Sequence, residues 1–165
     1  MKNQQRPNMK TLWLVRHAQA VPYEDNNQDK DRRLTDLGTE QASKLASFLQ
    51  DENVKVDLMI VSSATRTQQT ANIIQQSTQG VVGSSLVVDD LYLATQDALW
   101  EIVTQVDDAT ESLMIVGHNP GLEMLAVRFL PSLTGLGTGD LVKVRFDCLS
   151  WAEAGPDVVT EARHI

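Results

Sequence analysis

Short apolar runs alternate with amphipathic segments along most of this 165-residue chain, and this alternation limits the folds open to it. The apolar runs have the length of buried strands. The segments between them repeat apolar residues at positions i, i+3, i+4 and i+7, as helices facing a core do. Strands that alternate with helices favour a three-layer α/β domain with a mostly parallel central sheet. The predicted strands are 11–15, 58–61, 86–88, 113–116 and 141–146, and the predicted helices are 35–49, 65–76, 99–106 and 122–129.

The length and the cysteine content indicate one small domain in a reducing compartment. We predict that residues 10–165 form this domain and that the polar residues 1–9 form a flexible N-terminal tail. The single cysteine, Cys148, excludes an internal disulfide framework and a cysteine-rich zinc site. No apolar stretch approaches the roughly 18–20 residues of a membrane span, and the polar start of the chain lacks a secretory signal pattern. These features favour a cytoplasmic protein.

The charge balance excludes two classes of partner. The chain has 14 Lys and Arg residues against 22 Asp and Glu residues, which gives a net charge of −8. Such an acidic protein is poorly suited to bind nucleic acid or an anionic membrane surface. Net charge does not exclude a small anionic substrate, because a local site can differ in sign from the whole surface.

Polar side chains of one chemical kind follow three of the predicted strands. Arg16 and His17 follow the first strand, Arg66 comes shortly after the second, and His118 follows the fourth. The carboxyl ends of parallel strands meet at one edge of a sheet, where α/β proteins bind ligands. Arginine offers a planar fork of N–H donors that suits phosphate oxygens, and histidine can attack phosphorus or stabilise a transferring phosphoryl group. The sequence therefore predicts a phosphate site at this edge.

Four segments, in this order and after these elements, resemble the histidine phosphatase superfamily, which is also called phosphoglycerate-mutase-like. Together they extend over roughly residues 10–130. The short length and the Gly-His-Asn-Pro-Gly turn are similar to the SixA-like branch of phosphohistidine phosphatases, and residues 150–153 (Ser-Trp-Ala-Glu) add a weaker similarity. The matching segments are Leu-Val-Arg-His-Ala at 14–18, Arg-Leu-Thr-Asp-Leu-Gly at 33–38, Ser-Ser-Ala-Thr-Arg-Thr-Gln-Gln-Thr at 62–70 and Val-Gly-His-Asn-Pro-Gly at 116–121.

The resemblance implies a role for each side chain at the strand ends. His17 would be the nucleophile and would carry a phosphohistidine intermediate. Arg16 and Arg66 would hold phosphate oxygens. His118 would contact the same oxygens as a cation and support the transition state.

The resemblance also points to residues around this group. Arg33 is expected on the substrate side, with Arg32 as the neighbouring alternative. Asn119 is expected to bind phosphate or substrate, or to orient the turn that carries His118. Gly38 and Gly121 are expected to serve a turn or close backbone packing.

The sequence does not identify a single residue as the general acid. Many members of the superfamily take a carboxylate from the segment between the two conserved halves, and Asp89, Asp90 and Asp97 lie there. Asp90 is the first candidate. The SixA-like branch is also expected to work without a dedicated acid, because imidazole leaves more readily than an alkoxide.

The expected function is that of a phosphatase without a metal or other cofactor, since no histidine spacing of a metal site is present. The expected substrate is a phosphohistidine on a signalling or phosphotransfer protein. A small phosphomonoester such as a sugar phosphate is the alternative, and a non-catalytic phosphate-binding module is a further one. The short segment between Arg66 and His118 leaves little room for a large lid, which predicts a shallow, open site.

Overall fold

A computed structural model of the protein describes residues 9–165, which form one six-stranded sheet with two helices on each face. The predicted three-layer α/β architecture is confirmed. The residues of the predicted N-terminal tail lie outside the described part of the chain except Met9, which is the first residue of a strand. In chain order the elements are β1 (Met9–Arg16), α1 (Asp36–Asp51), β2 (Val56–Ser62), α2 (Thr65–Ser77), β3 (Val82–Val88), α3 (Gln96–Thr104), β4 (Ser112–Gly117), α4 (Gly121–Phe129), β5 (Leu141–Asp147) and β6 (Val159–His164).

Strands β1 to β4 of the sheet are parallel, and β5 and β6 form an antiparallel side next to β1. The strand order is β3-β2-β4-β1-β5-β6, with β5 and β6 antiparallel to their neighbours. Strand β6 was not predicted from the sequence, because its residues are polar and half exposed at a sheet edge and so lack an apolar run.

Alternate residues of the central strands fill two separate cores. In β1, Leu12 and Leu14 pack towards α3 and α4, whereas Trp13 and Val15 pack towards α1 and α2. Strands buried on both faces lose the apolar–polar alternation and read as continuous apolar runs. This explains why the central strands were visible in the sequence. Among the described residues, no helix is long and apolar enough to cross a membrane.

The order of the strands brings the ends of three of them together. Strand β4 lies between β1 and β2, and Arg16 at the end of β1 pairs with Gly117 at the end of β4. Ser62 ends the neighbouring β2 at the same level, since Val61 pairs with Val116. The polar residues that follow these strands therefore emerge side by side.

Two glycines of the motif segments allow close backbone packing rather than a turn with positive φ. A Cβ atom on Gly38 would lie 2.0 Å from the carbonyl oxygen of Gln19, and one on Gly121 would lie 2.0 Å from that of Ala94. Gly38 thereby lets the start of α1 contact the loop after β1. Thr35 caps the same helix by accepting a hydrogen bond from the Gly38 N–H at 3.0 Å.

We predict that Gly38→Ala lowers the free energy of unfolding by about 1–3 kcal/mol, because the new methyl group would force backbone apart. Gly135→Ala is the matched control, since a Cβ there would meet nothing within 4 Å. Thermal and urea unfolding of both variants measure the difference. Equal stabilities for the two variants would contradict the close contact at Gly38.

Candidate active site

Backbone hydrogen bonds fix the end of β1, where two of the predicted site residues lie. The His17 N–H donates to the Gly117 carbonyl at 3.1 Å, which ties β1 to β4 beyond the last strand pair. The Gly139 N–H donates to the carbonyls of Arg16 and His17, both at 3.1 Å, and the Arg16 N–H donates to Asp140. The turn before β5 thus holds Arg16 and His17 from the other side.

One hydrogen bond fixes which ring nitrogen of His17 is free. Its Nδ1 lies 2.7 Å from the Ala18 carbonyl oxygen, which can only accept, so Nδ1 carries the proton. Nε2 then keeps its lone pair and accepts a hydrogen bond from the Arg66 Nε–H at 3.3 Å. Burial, together with the nearby arginine charges, lowers the pKa of His17 to about 4. His17 therefore presents an unprotonated nitrogen at neutral pH, as a nucleophile requires.

Arg66 lies in the first turn of α2 and connects the parts of the site. Its side chain is 2% exposed. Besides the bond to His17, its Nη2 lies 3.3 Å from Nδ1 of His118. A guanidinium has only N–H donors, so Nδ1 of His118 is the acceptor. Arg66 therefore contacts both histidines, whose ring centroids are 5.3 Å apart.

His118 is neutral in this structure, and the expected cationic form in contact with phosphoryl oxygens stays a prediction. Its Nδ1 accepts from Arg66, and its Nε2 lies 2.7 Å from the Ser62 hydroxyl at the end of β2, so the ring proton lies on Nε2. Burial lowers the pKa of His118 to about 3, and the charge of Arg66 acts in the same direction. A buried imidazole beside a fixed guanidinium has no reason to take up a second positive charge.

Arg16 has N–H donors that the described residues do not use. Its Nη1 donates to the Leu136 carbonyl at 2.9 Å, which orients the guanidinium. Its buried Nε has no hydrogen-bond partner among the described residues. A buried N–H without a partner is costly in the empty site, and a phosphate oxygen would satisfy it.

A carboxylate that the sequence did not single out lies at the centre of the site. Asp29 comes from the long polar loop after β1, and it accepts from Arg66 twice, by its backbone carbonyl at 2.7 Å and by its side chain at 3.1 Å. Hydrogen bonds from Tyr92 and Arg66 hold the pKa of Asp29 at about 2. Tyr92 also packs edge-on against the His118 ring, with centroids 5.5 Å apart. The only signal in the sequence was the length of the loop, which is typical of functional segments.

Arg32, rather than Arg33, faces the site. The Arg32 Nε donates to Asp29 Oδ1 at 2.9 Å, whereas Arg33 is exposed. Arg32, the alternative to Arg33, is thus the one that contacts Asp29, and a role of exposed Arg33 on the substrate side stays a prediction.

Asn119 takes the second of its two expected roles, whereas Asp90 does not contact the site's histidines among the described residues. The amide nitrogen of Asn119 donates to Glu123 at 3.1 Å and to the Leu136 carbonyl at 2.9 Å, so its donor holds the turn after β4 rather than a phosphate oxygen. Asp90 is exposed in a short turn after β3 and has no contact with the histidines among the described residues. The carboxylate of the site is therefore Asp29.

The site is more enclosed than the sequence suggested. His17, Arg66 and His118 are 7%, 2% and 3% exposed. The segment between β3 and α3 is short, as expected, with one three-residue turn at Asp89–Leu91. The cover comes instead from the loop after β1. Lys30 of this loop forms an ion pair at 3.0 Å with Asp89, in the turn after β3.

Comparison with known proteins agrees with this geometry. A family model described as the histidine phosphatase superfamily (branch 1) matches residues 12–90. A protein of Mycobacterium tuberculosis (strain H37Rv) is 31% identical over 121 residues, which are 73% of this chain and 72% of the relative.

Two solved structures of SixA proteins share the fold. A protein of Nakamurella multipartitia, assigned as the phosphohistidine phosphatase SixA, superposes with a TM-score of 0.80 at 23% identity and covers 94% of this chain and 96% of its own. One of Agrobacterium tumefaciens with the same assignment gives a TM-score of 0.74 at 28% identity and covers 82% of this chain and 90% of its own.

We predict that the free protein loses stability as the pH falls from about 6.5 to 4. Unfolded histidines take up protons near about pH 6.5, whereas folded His17 and His118 have pKa values of about 4 and 3. In this window the unfolded state binds more protons, so the free energy of unfolding decreases with falling pH. Thermal unfolding at several pH values should show a steeper decrease for the natural protein than for a His17→Asn, His118→Gln double variant. Equal slopes would mean that both histidines titrate normally in the folded protein.

We predict that Asp29→Asn binds inorganic phosphate more tightly, by about three- to tenfold, because the Asp29 carboxylate competes with the oxyanion for Arg66. Titration calorimetry with phosphate measures the change. Asp31→Asn is the control for the lost charge, since Asp31 lies on the same short turn and is exposed. Weaker binding by Asp29→Asn would show instead that the carboxylate is needed to orient Arg66.

Proposed function

The chain belongs to the histidine phosphatase superfamily and is a phosphatase with a histidine nucleophile, and on that premise we propose that it dephosphorylates phosphohistidine on a signalling or phosphotransfer protein, with His17 as the nucleophile. The similarity of its fold to the two SixA structures supports phosphohistidine as the substrate class. The cytoplasm is the proposed compartment, and the single, buried cysteine supports it.

In the first step, Nε2 of His17 attacks the phosphorus of the substrate, and the phosphorus–nitrogen bond to the substrate histidine breaks. The departing imidazole already carries a proton on its other nitrogen, so it takes the bonding electron pair and leaves as neutral histidine. His17 is now phosphorylated on Nε2 and keeps its proton on Nδ1, where the Ala18 carbonyl accepts it at 2.7 Å.

In the second step, water attacks the phosphorus of phosphorylated His17. The bond to Nε2 breaks, its electron pair returns to the ring, and both water protons go to the product as dihydrogen phosphate. Arg16 and Arg66 contribute N–H donors to the phosphoryl oxygens throughout. A bound phosphoryl group places negative charge beside His118, which raises the pKa of His118 above its value in the empty site and favours a hydrogen bond to that group.

The observation that carries the choice of substrate is that the Asp29 carboxylate accepts hydrogen bonds from both Arg66 and Tyr92. It is the carboxylate that contacts Arg66, and its pKa of about 2 keeps it ionised at neutral pH. An ionised carboxylate cannot protonate a leaving alkoxide, as a phosphomonoester with a poor leaving group requires. The imidazole of a phosphohistidine leaves without a proton from the enzyme, because its other nitrogen is already protonated. No cluster of three or more potential metal-ligating side chains occurs within residues 9–165, and the proposed route needs no metal.

The experiment that tests the proposal compares substrates that differ in leaving group. The panel contains a phosphotransfer protein phosphorylated on histidine, free phosphohistidine, p-nitrophenyl phosphate and a sugar phosphate, all assayed by phosphate release with a chelator present. We expect the highest kcat/KM for the phosphohistidine protein and the lowest for the sugar phosphate. His17→Asn should lose about a thousandfold or more on every substrate.

His164→Asn is the control for the nucleophile, since exposed His164 at the end of β6 contacts the Asp140 side chain and neither of the other two histidines. Two results would contradict the proposal. A sugar phosphate turned over as fast as the phosphohistidine protein would assign the enzyme to small esters. Activity that disappears with the chelator and returns with a divalent cation would require a metal.

A further inference from the structure

An exposed apolar groove begins directly behind the catalytic turn. It consists of two depressions, of about 250 and 360 Å³, that share Gln96 and Met124 and run between the start of α3 and the outer side of α4. Pro120, two residues after His118, lines its first part, and Val127 lines its second. The groove therefore begins at the turn that carries His118.

The apolar side chains of this groove are unusually exposed. Leu93 and Met124 are 54% and 55% exposed, and Val127 is exposed as well. Other residues form the buried side of α4, so Met124 and Val127 lie outside the core. Apolar side chains gathered in this way on one surface indicate a site of interaction.

The backbone of Leu93 is strained, and no burial of its side chain offsets this strain. Its φ is 50°, in the left-handed region that a leucine rarely occupies and that costs on the order of 1 kcal/mol or more. This backbone turns the side chain of Leu93 to solvent next to Tyr92, whose ring packs against His118. Strain at a position that also exposes an apolar side chain points to a function of that side chain.

We propose that this groove, lined by Leu93, Pro120, Met124 and Val127, docks an amphipathic helix of the protein that carries the phosphohistidine. The inference rests on the proposed function and identifies the surface by which the enzyme distinguishes a protein from a small phosphorylated molecule. A helix laid into an apolar groove is an established mode of peptide recognition, with anchors at i, i+3 or i+4, and i+7.

The dimensions and charges of the groove define the helix that it fits. From Gly121 to Arg128, α4 extends over about 10 Å, or two helical turns. Exposed Asp97 and half-buried Glu123 lie towards the catalytic end, and Arg128 lies at the far end, over the ring of Trp100 at 5.1 Å. The complementary helix has a basic residue near its phosphohistidine, apolar residues three or four and seven positions away, and an acidic residue beyond them.

The test uses a Leu93→Gly, Met124→Gln double variant of the full chain. Glycine adopts positive φ without steric strain, so the first change removes the side chain and adds no strain. We expect kcat/KM for a phosphotransfer protein phosphorylated on histidine to fall about tenfold, mainly through KM. The value for p-nitrophenyl phosphate should change less than twofold. Leu149→Gln is the matched control, because Leu149 is 64% exposed but follows β5 at the opposite end of the sheet from the site.

Each other outcome overturns the inference in a different way. If the natural enzyme prefers the phosphohistidine protein but the double variant keeps that preference, the groove does not dock the substrate, while the proposed function stands. If the natural enzyme shows no preference for the phosphohistidine protein, the proposed function itself fails. If light scattering shows a dimer that the double variant cannot form, the groove binds a second copy of this chain instead.

Discussion

The buried guanidinium of Arg66 is the interaction on which the rest of the site depends. A charge that is 2% exposed needs partners, and Arg66 finds them in His17, His118 and Asp29. The bond to Asp29 also holds the loop after β1 across the sheet edge. One side chain from the start of α2 therefore orders both histidines and the segment that covers them.

The same charge decides the protonation of the histidines. Burial and the positive charge of Arg66 act in one direction and keep His17 and His118 neutral. For His17 this leaves the Nε2 lone pair available, with the Ala18 carbonyl fixing the proton on the other nitrogen. For His118 it leaves Nδ1 as the acceptor from Arg66 and the proton on Nε2 beside Ser62. The site thus places the neutral imidazole of His17 beside the fixed cationic donors of Arg66.

The fold and the residues at the strand ends were predictable because both depend on local patterns. Apolar runs mark the buried strands, and Arg16, His17 and His118 follow those runs directly in the chain. Asp29 was not predictable, because it is one of several charged residues in a polar loop and only the contact with Arg66 distinguishes it. The choice between Arg32 and Arg33 depends on the direction of the same loop, which the bridge from Ala20 to Leu34 sets through space.

The acidity of the chain has a role inside the site as well as on the surface. Asp29 neutralises Arg66, and Glu123 accepts from the side-chain amide of Asn119 and from the backbone N–H of Leu136, whose carbonyl in turn orients Arg16. Carboxylates therefore position the cationic donors while no phosphate is bound. The buried guanidinium of Arg66 therefore has a counter-charge within the chain itself. A chain with a net charge of −8 can in this way maintain a phosphate site, since its acidic residues hold the arginines in place.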